Sequence, residues 1–127
     1  MKLLTHAALS SATLLCTVAC AQTTGSAIDL GPMTYDASGT MRCSAGEPSY
    51  DEACGWRVLR NADGDAELWI ANIAVSDRVA FRVLRFSDGE FTDRDGDPVQ
   101  VSKDGDMWSI SVGREHYRFA DALITGG

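Results

Sequence analysis

The chain has 127 residues and a formal net charge of −7, from 18 acidic and 11 basic side chains. A chain of this length forms one domain and can bury a core of its own. The acidic balance argues against nucleic acid and against anionic membrane surfaces as partners, because both require cationic patches.

The N-terminal residues 1–19 are predicted to be a secretory signal peptide. A basic start precedes a moderately apolar run that is shorter than the roughly 20 residues a membrane-spanning helix needs. The run ends in TVAC, residues 17–20, which resembles the lipobox of bacterial lipoproteins. This resemblance implies a lipid on Cys20 that anchors the protein to a membrane of the bacterial envelope, facing the periplasm. Ordinary cleavage after Ala21, which would release a soluble periplasmic or secreted protein, is the alternative.

Either cleavage leaves only two cysteines that can pair with each other. Cys16 leaves with the signal, and Cys20 is lipidated or lost, so that Cys43 and Cys54 remain as an isolated pair. In an oxidising compartment such a pair forms a disulfide by default. The intervening segment contains glycine and proline, which allow the chain to turn back. We therefore predict a Cys43–Cys54 disulfide.

The rest of the chain is dominated by alternation of apolar and polar residues, which is typical of half-buried strands. Strands are predicted at residues 56–60, 66–75, 78–86, 107–112 and 116–119. The apolar segment 66–75 is expected to be buried on both faces. In 78–86, Val83 is predicted to face the core and Arg82 a solvated sheet face, with acidic partners on neighbouring strands.

Four Asp-Gly pairs separate these segments, at residues 63–64, 88–89, 95–96 and 104–105. Such pairs favour hairpin turns because both residues tolerate left-handed backbone angles. The chain before Trp56 is expected to supply one or two edge strands. The predicted fold is mainly β, a small single-domain antiparallel sandwich or partly open barrel of meander hairpins, with five to seven strands. The predicted organisation is a tether at 20–27 and one β domain at 28–127.

An acidic turn at residues 93–104 resembles an EF-hand loop in part. Asp93, Asp95 and Asp97 occupy alternate positions, as in calcium-binding loops. Pro98, however, stands where that loop needs glycine, and strands rather than helices are predicted on either side. The turn is therefore interpreted as a solvated hairpin, and calcium binding by these three aspartates is kept as the alternative.

His116 is the single histidine after the predicted signal. A role as general base would require an orienting acid, but in a strand Glu115 and His116 point to opposite faces. The sequence contains neither a G-x-S-x-G elbow nor an H-E-x-x-H motif, and no motif predicts a cofactor or a metal cluster. The three tryptophans are expected to belong mostly to the core.

The sequence thus favours a non-catalytic binding or accessory protein of the bacterial envelope. Its partners would be the membrane, through the N-terminal lipid, and another envelope protein. A calcium- or small-ligand-binding periplasmic module is the first alternative, and a small hydrolytic enzyme is the second.

Overall fold

The computed structural model describes residues 34–75 and 81–127, which form one antiparallel β-sheet and a short helix. The predicted mainly β fold is confirmed. The elements in chain order are β1 (Ala37–Ala45), β2 (Glu52–Arg60), β3 (Ala66–Ala71), β4 (Arg82–Ser87), β5 (Glu90–Asp93), β6 (Val99–Asp104), β7 (Met107–Val112), β8 (Glu115–Ala120) and α1 (Ala122–Thr125). The predicted signal, Cys16 and Cys20 lie outside the described residues.

The sheet curls into a nearly closed barrel. Its strand order is β5-β4-β3-β2-β1-β8-β7-β6, and the two end strands, which follow each other in the chain, contact one another. Of the two predicted architectures, the partly open barrel is the observed one. The strand count is eight instead of five to seven, because the short strands β5 and β6 lie outside every predicted strand segment. The expectation of edge strands before Trp56 is wrong, since β1 lies between β2 and β8.

The interior is filled by every second side chain of the strands, as the pleat of a sheet requires. In β7, Trp108, Ile110 and Val112 are buried while Ser109 and Ser111 are partly exposed, as the alternation predicted. In β3, Leu68, Trp69 and Ile70 are all buried, so the first part of the predicted segment 66–75 is covered on both faces. The rest of that prediction is wrong, because the strand ends at Ala71 and Ile73 is 70% exposed. The side chains with essentially no exposure include Cys43, Cys54, Val58, Leu68, Ile70, Leu84, Ile110, Val112 and Tyr117.

The hairpin turns follow the Asp-Gly pairs in part. Asp88 and Gly89 both have positive φ, at 53° and 77°, and join β4 to β5. Two consecutive positive φ angles are what a type I′ hairpin turn requires. Between β6 and β7 the turn is shifted by one residue, because Asp104 still pairs with Met107 and the turn consists of residues 105–106.

A disulfide joins Cys43 of β1 to Cys54 of β2, with a Cα–Cα distance of 5.9 Å. The prediction is therefore confirmed. In the strand register Met41 lies opposite Cys54 and Cys43 opposite Glu52, so that the two cysteines are diagonal neighbours on the same face. Both are completely buried, and the bond ties together the two strands at the centre of the sheet.

The barrel interior differs between its two ends. At one end Phe86, Phe91, Trp108 and Phe119 pack edge-on, with ring centroids 4.9 to 6.2 Å apart. Helix α1, which the sequence analysis did not predict, buries two of its apolar residues in the same core. At the other end, where β4 and β8 begin, the inward positions are polar. We call these the aromatic end and the polar end.

Candidate functional site

The polar end is built around one buried arginine. Arg82 is 4% exposed, and its guanidinium donates to both carboxylate oxygens of Glu115. It also donates to Asp93 Oδ2 at 2.9 Å and to Asp97 Oδ2 at 3.0 Å. The three carboxylates come from β8, from β5 and from the loop after β5. One side chain therefore fastens β4 to three other parts of the barrel.

Two neutral side chains complete this cluster. The Tyr117 hydroxyl donates to the Glu115 carboxylate, and Asn72 Nδ2 lies 3.4 Å from the same hydroxyl. Burial alone would lower the pKa of Arg82, but its hydrogen bonds with Glu115, Asp93 and Asp97 and the charge of Glu115 raise that pKa above its usual value. Arg82 therefore stays protonated at any pH at which the protein is folded. The predicted solvated position of Arg82 is wrong. Of its acidic partners, Asp93 lies on a neighbouring strand, as predicted, whereas Glu115 and Asp97 do not.

The three aspartates of the acidic turn are placed differently from one another. Asp93 and Asp97 both contact Arg82, and the Asp97 amide donates to Asp93 Oδ2 at 3.1 Å. Asp95 Oδ1 lies 3.7 Å from Arg94 Nε, at the surface. Within residues 34–75 and 81–127, no group of three or more His, Cys, Asp or Glu side chains is placed to hold a metal ion. The interpretation of this segment as a solvated hairpin is wrong, because Asp93 is buried and β5 and β6 stand at opposite ends of the strand order. Calcium binding by the three aspartates stays a prediction, and Arg82 binds the carboxylates of Asp93 and Asp97.

His116 fastens a loop to the outside of the barrel. Its Nε2 donates to the Gly46 carbonyl at 2.8 Å, and its Nδ1 is therefore left to accept from Ser111 Oγ at 2.7 Å in the neutral ring. Glu115 and His116 point to opposite faces, as predicted, and Glu115, which points into the barrel, does not orient the imidazole. The ring of Tyr50 packs edge-on at 6.4 Å. These contacts position the β1–β2 loop against the β7–β8 hairpin.

A gap in the barrel wall opens near the aromatic end, where β1 and β8 separate. Their ladder contains four residue pairs, from Ala45–Glu115 to Arg42–Arg118, and stops there. Beyond that point residues 37–41 of β1 pair with β2 alone, and the last two residues of β8 pair with β7 alone. The two facing edges are left without a strand partner among the described residues.

An open cleft of about 480 Å³ lies at this gap. Apolar side chains from inside the barrel form its floor, and three arginines stand around it. Its lining is Thr40, Met41, Arg42, Trp56, Arg60, Met107, Arg118, Phe119, Ala120, Ala122 and Leu123. Pockets of 300 to 1,000 Å³ with a mostly apolar lining and a few polar groups are typical of ligand sites. We call this pocket the arginine cleft.

The charge of the arginine cleft is opposite to that of the whole chain. None of its lining residues is acidic, although acidic side chains outnumber basic ones, 18 to 11. Arg42 and Arg118 lie directly opposite each other in the last pair of the ladder and are both exposed. Like charges in this relation repel and destabilise the sheet. The site thus concentrates positive charge at a cost in stability.

The three arginines are engaged to different extents. Arg60 donates through Nε and a terminal nitrogen to the Leu123 carbonyl, at 3.1 and 2.7 Å, and so holds α1 in place. Arg118 lies 5.9 Å from the ring centroid of Tyr50. Arg42 has neither an ion pair nor a side-chain hydrogen bond within the described residues. Two guanidinium groups are therefore available to an anion.

Trp56 forms part of the cleft because its strand neighbour is a glycine. The two residues are paired across β1 and β2, and a Cβ on Gly39 would stand 2.9 Å from the Trp56 ring. The absence of a side chain there lets the indole lie across β1. The indole N–H has no hydrogen-bond acceptor among the described residues, so the cleft also offers a neutral donor.

Sequence reasoning missed the arginine cleft and the cluster around Arg82. The cleft depends on where the ladder between β1 and β8 stops, which joins residues some 75 positions apart. Gly39 was the one local signal, since glycine inside a strand often marks a close approach. The predicted site residues Cys43 and Cys54 are placed together, and Asp93 and Asp97 meet at Arg82. Asp95 pairs with Arg94 instead.

No protein-family model matches the chain, and neither a curated protein nor a solved structure is significantly similar to it. In the described part of the chain, no helix has the length and apolar character needed to cross a membrane.

Proposed function

We propose that this protein is a non-catalytic binding protein of the bacterial envelope, which takes up an anionic, partly apolar ligand in the arginine cleft. The observation that carries this proposal is the combination of an apolar floor with unpaired arginines in an otherwise acidic protein. An anion bound there would relieve the repulsion between Arg42 and Arg118. An apolar group would replace water over Met41 and Phe119.

The proposed location is the periplasmic side of an envelope membrane, with a lipid on Cys20 as the anchor. The lipobox-like sequence at residues 17–20 supports this location. The disulfide of the domain agrees with it, because disulfides persist in oxidising compartments such as the periplasm. The intact mass of the protein from a bacterial membrane fraction tests this proposal. A diacylglyceryl-modified Cys20 at the N-terminus is expected, and an unmodified Gln22 start would contradict it.

The binding role is tested with decanoate, which has one carboxylate and an apolar chain. We expect saturable binding to the full chain by calorimetry, weakened by salt because the contact is partly electrostatic. The variant Arg42→Gln/Arg118→Gln should lose most of this affinity. Arg114→Gln is the matched control, because it removes an exposed arginine outside the cleft. Equal binding by both variants would contradict the proposed site.

A melting experiment distinguishes the proposed binding role from the alternative of a calcium-binding module. A ligand that binds the folded state raises the melting temperature in proportion to the logarithm of its concentration above Kd. Because Arg82 occupies Asp93 and Asp97, we expect millimolar calcium to leave the melting temperature unchanged. A rise that disappears in Asp95→Asn would favour the calcium-binding module.

A further inference from the structure

We infer that the ligand of the arginine cleft is an extended, acidic segment of another polypeptide, which adds as a strand to the free edge of β1. This inference rests on the proposed function and names the chemical class of the ligand. Three features of the cleft carry it: an unpaired backbone edge, the two faces of that edge, and the charge around it.

The unpaired edge of β1 is a feature along which only another polypeptide backbone can form a continuous row of hydrogen bonds. Residues 37–41 of β1 pair with β2 on one side and have no described strand partner on the other. Five residues of strand span about 16 Å, at about 3.3 Å per residue. A row of backbone N–H and C=O groups of this kind is a template for an added strand. A fatty acid could fill the apolar floor but could not satisfy these groups.

The two faces of the edge specify which side chains the added strand should carry. Met41 and Phe119 face the core beneath the cleft, whereas Arg42 and Arg118 are on the outer face. Successive side chains of a strand point to opposite faces. A segment beside β1 would therefore place apolar residues inward and acidic residues outward, toward the arginines. The expected sequence pattern is alternating apolar and acidic residues.

The charge around the cleft selects against other peptides. With Arg42 and Arg118 unpaired by acidic side chains and Arg60 at the same site, a basic peptide would add to an existing repulsion. Charge-assisted hydrogen bonds from arginine to carboxylate are short and stronger than those between neutral groups. Acidic side chains on the added strand thus give both affinity and register.

The test uses the full chain and two acetylated, amidated hexapeptides, one alternating leucine with glutamate and one alternating leucine with lysine. We expect the glutamate peptide alone to bind. Its affinity should fall at least about tenfold in Arg42→Gln/Arg118→Gln, because charged hydrogen bonds are lost, and should be unchanged in Arg114→Gln. Hydrogen exchange should show new protection of amides within residues 37–41.

Backbone methylation distinguishes strand addition from simple burial. In a paired strand every second residue bonds to a given neighbour, so methylating the leucine nitrogens or the glutamate nitrogens should abolish binding in one case only. Equal binding of both methylated peptides would overturn the inference. If decanoate binds in an arginine-dependent manner and the peptide does not, the inference fails while the proposed function stands. If neither probe binds, both fail.

Discussion

The two ends of the barrel use arginine in opposite ways. At the polar end, Arg82 is buried and fully engaged by Glu115, Asp93 and Asp97. At the aromatic end, Arg42 and Arg118 are exposed, face each other and have no acidic partner among the described residues. The first arrangement joins distant segments of one chain. The second leaves charge available to something outside it.

This difference shows why the arrangement of charges is more informative than their number. A buried ion pair is costly to break, because the partner left behind remains charged and desolvated. Exposed like charges on neighbouring strands destabilise the sheet by a smaller amount, about 0.2 to 1 kcal/mol. Substitutions at the two ends should therefore separate effects on stability from effects on binding.

The largest effect is expected for Arg82→Met. Removing the guanidinium leaves the buried carboxylates of Glu115 and Asp93 without their cation, at a cost of about 3 to 5 kcal/mol in the free energy of unfolding. The melting temperature should fall by about 12 °C or more. Arg85→Met is the control from the same strand, since Arg85 is exposed and lies 3.6 Å from Glu67. That variant should lose less than about 1 kcal/mol, and equal losses would remove the contrast between the ends.

The disulfide is expected to contribute nearly as much. Cys43 and Cys54 are 11 positions apart, and closing a loop of that size stabilises the folded chain by about 3 kcal/mol in the loop-entropy model. Cys43→Ala/Cys54→Ala should therefore melt at a lower temperature, as followed by circular dichroism. Because Arg82 and its partners are unchanged, the variant should still fold. A wholly unfolded variant would mean that the polar end cannot hold the barrel by itself.

A smaller loss is expected for Tyr117→Phe. The change removes the hydroxyl that donates to Glu115 and contacts Asn72, while the ring stays in the core. Losing one buried hydrogen bond to a charged group costs about 1.5 to 3 kcal/mol. Chemical denaturation measures this difference, and Phe119→Leu serves as a control for packing at the other end of the same strand. No measurable loss in Tyr117→Phe would show that Arg82 satisfies Glu115 without help.

The smallest effect on stability, with the opposite sign, is expected for Arg42→Gln. Removing one of two opposed charges should raise the free energy of unfolding by about 0.2 to 1 kcal/mol. The gain should shrink in high salt, because screening already weakens the repulsion between exposed groups. The same variant should bind the acidic peptide less tightly. A loss of stability would indicate an unrecognised partner and weaken the assignment of Arg42 to ligand binding.

Local sequence pattern was sufficient for part of this fold. Alternation in 107–112 and 116–119 predicted which residues of β7 and β8 are buried, because each strand presents one face to the core. The disulfide followed from cysteine count and compartment. Helix α1 was missed because four residues are too short to show a helical period.

Contacts between residues that are distant in sequence could not be predicted from the local sequence pattern. Alternation placed Arg82 and Val83 on opposite faces correctly, but the prediction that Val83 faces the core is wrong. Val83 lies outside the core cluster, whereas Arg82 shares the inner face of β4 with Leu84. The partners that make the burial of Arg82 possible are 11, 15 and 33 positions away. The arginine cleft was hidden for the same reason, since it exists where two strands from opposite ends of the domain separate.

The position of α1 has a practical consequence for labelling. Gly126 follows the helix in a left-handed conformation, and a Cβ built there lies 3.6 Å from the Arg60 guanidinium. Residues appended after Gly127 would therefore leave the barrel beside the arginine cleft. An environment-sensitive dye attached there is expected to change its emission when the cleft is filled, whereas a bulky or acidic affinity tag at the same end would compete with the ligand. Purification tags are better placed elsewhere.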